Sequence, residues 1–418
     1  MRSLDDKQKP RGECAQRNTT PSGAARGAEN PRKMHSPSGA RTWQSSGVRI
    51  LLHTDLKVSV SGLFWHRDLG LLTKALRDLG HDAWLVIHPD LKTPSNTTNS
   101  APPISQVPVI WAAPSDVRNP FWWQRHKPDL VILGLWTRPK YDPIRRAALS
   151  ATSCIIERAD SDGMRTASCG LRAYAQRRFD YFRDRSSSWP GWLSLPAAGI
   201  YALVQILLSP LMEYRLWKTL RLISCLTLET PQSLRRWQDL ARRIGADPMR
   251  MRFVPHPVQT HLFHAKSSVH KKNQTVSVGR WESYQKNLPA LRQRLITYLA
   301  DHPNWRSLVV GSGLPAQSGH SRIRYLPPQP PKKLARLMQE SKIFLFSSRY
   351  ESFCLAAAEA MSCGCRVLGP SGLDATHFYD GLTSGRKMAG NASRFFSPTR
   401  VAKEFLQAAD PKSPCRRG

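Results

Sequence analysis

IFLFSSRYESFCLAAAEAMSCGCRVLG, residues 343 to 369, reads as a strand, a polar break, an alanine-rich helix and a second strand. The apolar runs IFLFSS (343 to 348) and CRVLG (365 to 369) do not alternate with polar residues, which suits parallel strands buried on both faces. Between them, Phe353 to Ser362 has helix composition, and Gly364 ends it. The same rhythm continues upstream in TVSVG (275 to 279), SLVVG (307 to 311) and IRYL (323 to 326). Helical stretches at Leu288 to Leu299 and Lys332 to Glu340 separate these runs, and Pro331 suits a first-turn position. Apolar β-segments alternating with helices predict a doubly wound parallel sheet.

Further toward the N-terminus the pattern begins again. VRILLH from Val48 predicts a strand, and Leu63, Leu69, Leu72, Leu76 and Leu79 fall near helical spacing before the turn LGHDAWLV. Arg67, Lys74 and Arg77 should stay solvated. Strands follow at DLVILG (129 to 134) and SCIIERA (153 to 159), the latter running into Asp160-Ser161-Asp162-Gly163. The expected architecture is α/β, with two Rossmann-like doubly wound domains facing a cleft: an N-terminal domain over 48–257 and a C-terminal one over 258–418. Ligands of open α/β sheets lie beyond the carboxyl ends of the strands, which makes Asp55, Ser61, Gly62, Asp160 and Asp162 candidates on the acceptor side. Each of these also fits a helix cap or a turn. His53, His66 and His81 read as turn or surface residues, with His66 near enough to the glycine loop to be an acceptor-side candidate.

Composition narrows the function classes without choosing one. The chain has 418 residues and a formal charge of +32, favouring anionic partners of any kind. Thirteen tryptophans and many arginines invite an RNA reading, but no RRM, KH or zinc-knuckle pattern accompanies them, so nucleic acid is not the expected partner. The eight cysteines lack paired CxxC spacing, and Cys363 and Cys365 read as buried thiols in a turn. Neither a zinc ribbon nor a disulfide framework is expected, and a reducing cytosol suits the chain best. Residues 1–47 read as a disordered basic tail, with Met34 a second candidate start and no signal-peptide core in the first thirty residues. An insert over about 186–221 includes an uncharged stretch, 186 to 212, between basic flanks. It is long enough to span a bilayer, but the strands on either side (153 to 159 and 222 to 228) should share one sheet, and Pro196 and Pro210 interrupt it. An interfacial or re-entrant hairpin at an anionic membrane surface, or a segment folded onto the domain, is expected instead.

The chemistry-bearing residues gather in the second half. Gly279 and Arg280 end one strand, and Lys286 follows six residues later, so two cations can meet beyond a strand end where a diphosphate would lie. Gly311-Ser312-Gly313 ends the next strand and lets the backbone approach a ligand, although a lone GxG is as often only a tight turn. In the opening stretch Glu351 precedes Ser352, Phe353, Cys354 and Leu355, whose backbone amides would point at an anion, and Glu359 follows eight positions on. Carboxylates accept hydrogen bonds from sugar and ribose hydroxyls. Taken alone, Glu351 and Glu359 also fit a helix cap and a solvated helix residue.

At these positions the chain resembles the retaining GT-B glycosyltransferases of family 4, with their Glu-x7-Glu signature. The resemblance covers roughly residues 48 to 410: ESFCLAAAEAMSCGCRVLG, Gly279-Arg280 with Lys286, VVGSG, the connector-like VPHPV (254 to 258) and, more generically, Gly62 and LGHDAWLV. It implies that Arg280 and Lys286 bind the donor diphosphate, Glu351 contacts the transferred sugar, Glu359 holds the ribose and Gly62 lets the acceptor-side loop approach the phosphates. It implies a nucleotide-sugar donor, a lipid-linked or carbohydrate acceptor, work in the cytoplasm or at the inner face of the membrane, and neither cofactor nor metal. Three departures stand out. No histidine occupies the Asp160 to Gly163 loop, the usual Lys-Gly pair reads Lys286-Asn287, and Ser352 and Cys354 replace glycines of a Glu-Gly-Phe-Gly turn. The final helix that crosses back to the first domain is expected to be shortened or absent. The alternative function is a non-catalytic GT-B relative that binds nucleotide sugar or membrane.

Overall fold

A computed structural model of the chain describes residues 47–55, 68–88, 107–159, 162–186, 188–384 and 392–410. The expected tail, apart from Gly47, and Ser61, Gly62, Leu63, His66, Arg67 and Asp160 lie outside them. The first half contains β1 (Arg49–Thr54), α1 (Asp68–Asp78), β2 (Asp82–Ile87), β3 (Val109–Trp111), α2 (Pro120–His126), β4 (Leu130–Gly134), α3 (Asp142–Leu149) and β5 (Ile155–Ala159). It continues through α4 (Leu171–Arg185), α5 (Gly191–Leu207), α6 (Ser209–Leu220), β6 (Cys225–Leu228), α7 (Pro231–Arg243) and β7 (Met251–Phe253). The second half contains β8 (Lys272–Arg280), α8 (Leu288–Asp301), β9 (Arg306–Ser312), β10 (Ile323–Leu326), α9 (Pro331–Glu340), β11 (Ser341–Leu345), α10 (Leu355–Ser362) and β12 (Arg366–Leu368). It closes with α11 (Asp374–Ser384), α12 (Ala392–Phe395) and α13 (Pro398–Ala409).

Two sheets result, ordered β3-β2-β1-β4-β5-β6-β7 and β10-β9-β8-β11-β12. Each described pairing is parallel. Helices cover both faces of each sheet, and the central strand positions, Ile50, Leu52, Val131 and Ile156 among them, are completely buried. On α8, Leu291, Leu295 and Leu299 recur at every fourth residue and form the stripe that buries one face of the second sheet. The chain reverses direction across each sheet between β1 and β4 and between β8 and β11, which opens a crevice at the carboxyl ends of those strands.

Two expectations about individual parts are overturned. His53 is fully buried within β1, because at that register the side chain points into the layer under Trp123 and its Nδ1 meets the Val86 carbonyl at 3.0 Å. Burial pushes its pKa down to about 4, so the ring stays neutral. His81 does lie in a turn, the one before β2, and is buried there. The second concerns the last helix. α13 begins at Ser397, whose side chain accepts from the Arg400 amide, with Pro398 in the first turn. Its stripe of Val401, Ala402, Phe405, Leu406 and Ala409 fills the same core as Ile50, Leu52, Leu69 and Leu72 of the first half. The crossing-back helix is therefore present, and the sequence stretch read as the end of the second domain completes the first core.

Phe405 is fully buried there, so Phe405→Ala should cost about 3–5 kcal/mol of unfolding free energy. Urea denaturation followed by tryptophan fluorescence measures it; a loss under about 1 kcal/mol would show that α13 is not part of the first core.

Candidate active site

The crevice between β8 and β11 gathers most of the residues that the sequence singles out. β8 ends at Arg280, in register with Ser312 at the end of β9, and Gly279 lies opposite Gly311. A Cβ on Gly311 would lie 1.8 Å from the Gly279 carbonyl oxygen, and its φ of +147° also favours glycine. The two strand ends thus approach closer than any side chain permits, and Trp281, buried against them, donates its indole N–H to the Val310 carbonyl at 3.0 Å. Arg280 is exposed at the rim.

Lys286 reaches back from the turn after β8 and donates to Glu351 Oε2 at 2.6 Å, and the Ser348 hydroxyl donates to the same oxygen at 3.2 Å. Burial disfavours the ammonium, but the attraction of Glu351 outweighs it and raises the Lys286 pKa, with Arg280 close enough to oppose the effect. Lys286 therefore stays protonated throughout the neutral range. The Ser347 hydroxyl donates to the Lys286 and Asn287 carbonyls, which fixes this turn against the end of β11.

α10 begins at Leu355, two residues later than the sequence indicates, with Cys354 as its cap. Ser352, Phe353 and Cys354 are buried in the turn before it, and Phe353 packs its ring into a cluster with Phe378, Tyr379 and Phe396. Phe353 thus anchors the turn in the core. Both Asn287 (φ 55°) and Cys354 (φ 61°) adopt left-handed backbone, and they are two of the positions where the resemblance leads one to expect glycine. Asparagine tolerates that conformation, whereas cysteine stores roughly 1–2 kcal/mol there. The Tyr379 hydroxyl donates to the Cys354 carbonyl at 3.2 Å and helps to hold it. Glu359 is only 3% exposed on α10, which removes the reading of it as a solvated helix residue. Cys363 and Cys365 are buried thiols, and burial pushes Cys365 up to about 11.

Glu351 also borders a cavity of about 320 Å³ between the halves. Asp162 lines it from the first half, receiving Arg177 Nη1 at 2.6 Å, so the structure brings this acceptor-side candidate to the same opening as Glu351. Asp55 is not there; its carboxylate lies 3.3 Å from His88 Nε2. The sequence did not single out Arg236 and Asp374, which join across the cavity by two hydrogen bonds of 2.7 and 2.9 Å, or Tyr284 and Tyr350 on its wall. Arg236 and Asp374 are 138 positions apart, and no local pattern pairs them. Arg177 stacks over the Tyr350 ring at 4.3 Å, a second link between the halves.

Residues 272–380 match the family model described as Glycosyl transferases group 1. The chain is 28% identical over 151 residues to a D-inositol 3-phosphate glycosyltransferase of Acidothermus cellulolyticus, covering 30% of this chain and 34% of that protein. It thus spans about a third of the length of this curated relative. Over the whole architecture it is similar to HepE of Anabaena solved with UDP and glucose (TM-score 0.51, 14% identity, 86% of this chain and 98% of that one). It is also similar to α,α-trehalose 6-phosphate synthase from Burkholderia multivorans (TM-score 0.51, 11% identity, 87% and 98%). The catalytic domain of starch synthase IV from Arabidopsis thaliana, bound to ADP and acarbose, aligns with a TM-score of 0.50 (12% identity, 87% and 99%). This is the GT-B fold. At these identities the solved structures establish the GT-B architecture alone, and the family match coincides with the half that holds Arg280, Lys286, Glu351 and Glu359.

The Gly279–Gly311 approach yields a direct test. Gly311→Ala should destabilise by on the order of 2 kcal/mol or more, since its methyl would overlap a carbonyl oxygen. Gly199→Ala, inside α5 with nothing within 4 Å of the new methyl, should instead stabilise by about 0.5–1 kcal/mol. Equal denaturation midpoints for the two variants would contradict the close approach.

Proposed function

We propose that the chain is a glycosyltransferase of family 4 type that moves a sugar from a nucleotide-diphosphate-sugar donor, with retention, to a lipid-linked or polysaccharide acceptor of the cell envelope. It acts in the cytoplasm, peripherally at the inner face of the membrane. The observation that carries this reading is the Lys286–Glu351 pair, 2.6 Å apart at the carboxyl-end crevice between β8 and β11, with Arg280 beside it. A cation pair and a carboxylate at that crevice suit a diphosphate joined to a sugar.

In this reading Arg280 and Lys286 hold the diphosphate, with the backbone at Gly279, Gly311 and Ser352 to Leu355 approaching it, while Glu351 faces the sugar and Glu359 the ribose. As the bond between sugar and diphosphate breaks, negative charge accumulates on the leaving group. Fixed cations matter most there, because they need not reorganise during the step. Before the donor binds, Glu351 occupies Lys286, so the donor phosphate and the sugar hydroxyls take over two ends of an existing pair. Asp162, across the cavity from Glu351, is the acceptor-side residue of this reading, together with Ser61, Gly62, His66 and Asp160. The glycosyltransferase relative and the UDP and glucose held by HepE support the donor class. The packing of α13 on the first core removes one ground for the non-catalytic alternative, a missing crossing helix.

Arg280→Ala and Lys286→Ala should each lower turnover on the order of 10²-fold or more at saturating donor, with unfolding midpoints little changed. Donor hydrolysis or transfer is followed by release of free nucleoside diphosphate; wild-type rates in both variants would sink the assignment of a diphosphate clamp. Glu359→Ala should weaken nucleoside diphosphate binding about tenfold or more by leaving ribose hydroxyls unpaired, whereas Glu351→Gln should act mainly on transfer. Calorimetric titration with UDP and with ADP separates the two roles, and unaltered affinity in Glu359→Ala would remove the ribose assignment.

A further inference from the structure

Helix α5 is amphipathic in the reverse sense. The side chains it turns toward the protein are small, with Ser194, Ala198 and Ala202 buried at every fourth position. The large apolar ones face out: Trp192 is 78% exposed, Leu207 70% and Ile200 64%. Leu203, Val204 and Leu211 extend the same exposed surface onto the start of α6. A helix at the surface of a soluble domain normally does the opposite, burying its bulky residues and leaving small or polar ones outside. The small inward stripe allows α5 to lie close on α4, where Phe182 stacks on Tyr201 with ring centroids 5.1 Å apart.

The rim of this surface is basic. Residues 171–221 contain eight Lys or Arg and three acidic residues, Asp180, Asp184 and Glu213. On α6, which continues the apolar face, two of the cations sit over aromatic rings: Lys218 over Tyr214 at 4.4 Å and Arg221 over Trp217 at 4.8 Å. Aromatic rings and long basic side chains surrounding an apolar face suit the depth at which lipid headgroups meet acyl chains. A second copy of the chain fits poorly here, since a two-fold pairing would bring both basic rims together.

The topology decides how such a face can meet lipid. Among the described residues no single helix is long and apolar enough to cross a membrane, and α5 and α6 bend by 52° at their junction. β5 and β6, which flank the insert, are neighbours in one sheet with Ile156 beside Cys225, so the chain on both sides of the insert belongs to one folded domain and lies on one side of any bilayer. The face can lie in a bilayer surface and cannot cross it.

We propose that α5 and the start of α6 lay the protein on an anionic lipid bilayer surface, and that α4 then presents the Glu351 cavity to an acceptor borne by that surface. The second half follows from α4 having two occupied sides. Phe182 adjoins the apolar hairpin through Trp189 and Tyr201, while Ala173, Gln176, Arg177 and Asp180 line the cavity that Glu351 and Asp162 share. One helix therefore separates the lipid-facing surface from the transfer site. This inference rests on the peripheral-membrane, lipid-linked-acceptor form of the function proposed above and names the surface responsible.

Full-length protein is sedimented with vesicles of phosphatidylcholine alone and of phosphatidylcholine mixed with phosphatidylglycerol, at low and at high salt. Binding is expected to favour the mixed vesicles at least tenfold at low salt, with a salt-resistant remainder from apolar insertion. The triple variant Trp192→Ser, Ile200→Ser, Leu207→Ser alters only exposed positions and should lose that remainder, tenfold or more, with its unfolding midpoint kept. Replacing Arg215, Lys218 and Arg221 by Gln should lower the low-salt preference for mixed vesicles by an order of magnitude and leave the remainder. Salt-resistant sedimentation equal to wild type in the triple-serine variant overturns the proposal, as does absence of vesicle binding by the wild-type chain. A soluble dimer that the serine substitutions dissociate, or capture of an acidic protein in place of vesicles, also overturns it. Thermal stabilisation by UDP or ADP is measured on the same samples: its loss counts against the glycosyltransferase reading, while lost vesicle binding with nucleotide stabilisation intact counts against the docking surface alone.

Discussion

The arrangement of the two halves depends on helix α13, which belongs to the second half by sequence position and to the first by packing. Val401, Phe405 and Leu406 fill the space over β1 and α1, and burying side chains of that size contributes on the order of 1.5–3 kcal/mol each. The chain passes between the halves twice, once through the connector after β7 and once ahead of α13. At the first passage His256 lies 3.6 Å from Asp68, which also pairs with Arg158, while its ring packs 4.8 Å from Phe353 of the second half. Asp68 is held below the ordinary carboxylate range, at about 2: burial alone would raise it, and the attraction of Arg158, with His256 adding to it, more than reverses that. With these passages fixed, the cavity at Glu351 is bounded by both halves, and the Arg236–Asp374 and Arg177–Tyr350 contacts close around it.

The parts legible in the sequence are those whose information is local. The strands of the second sheet read plainly because residues such as Val276, Val309 and Phe344 are buried from both faces, leaving uninterrupted apolar runs. β3 and β7, at three residues each, are too short to leave such a run, and their edge positions admit polar or exposed residues such as Trp111 and Arg252. His53 misleads because a polar residue on a central strand can be buried against a carbonyl that belongs to another strand. The stripe on α13 announces an amphipathic helix but cannot say which of two cores it fills. For the site, Arg280, Lys286, Glu351 and Glu359 follow from spacing on strand ends and one helix, whereas Arg236 and Asp374 meet only after two domains have folded and docked.

The left-handed turns at Asn287 and Cys354 show how a pattern can change while its geometry persists. Each lies at the mouth of a helix that opens onto the crevice, and the backbone path there is set by Ser347, Tyr379 and the buried ring of Phe353. Surroundings that over-determine a turn can hold a residue other than glycine in it at a modest cost.

The insert carrying α4 to α6 leaves the carboxyl end of one strand of the first sheet and returns to the amino end of its parallel neighbour, so it is the crossover connection of that pair. The exposed part, α5, behaves as a cassette within that crossover: its length can change without shifting the register of β5 on β6. Leu216 and Leu220 of α6 belong to the first core, and one polar contact there sets a further limit. Thr219 on α6 donates to Asp142, which in turn receives Arg145, and Arg145 is bound in two-pronged fashion to Glu157 in β5. An exchange that reaches α6 has to supply a hydroxyl at that point, or it leaves the buried Asp142 carboxylate short of a donor where α3 packs on the sheet of the first half.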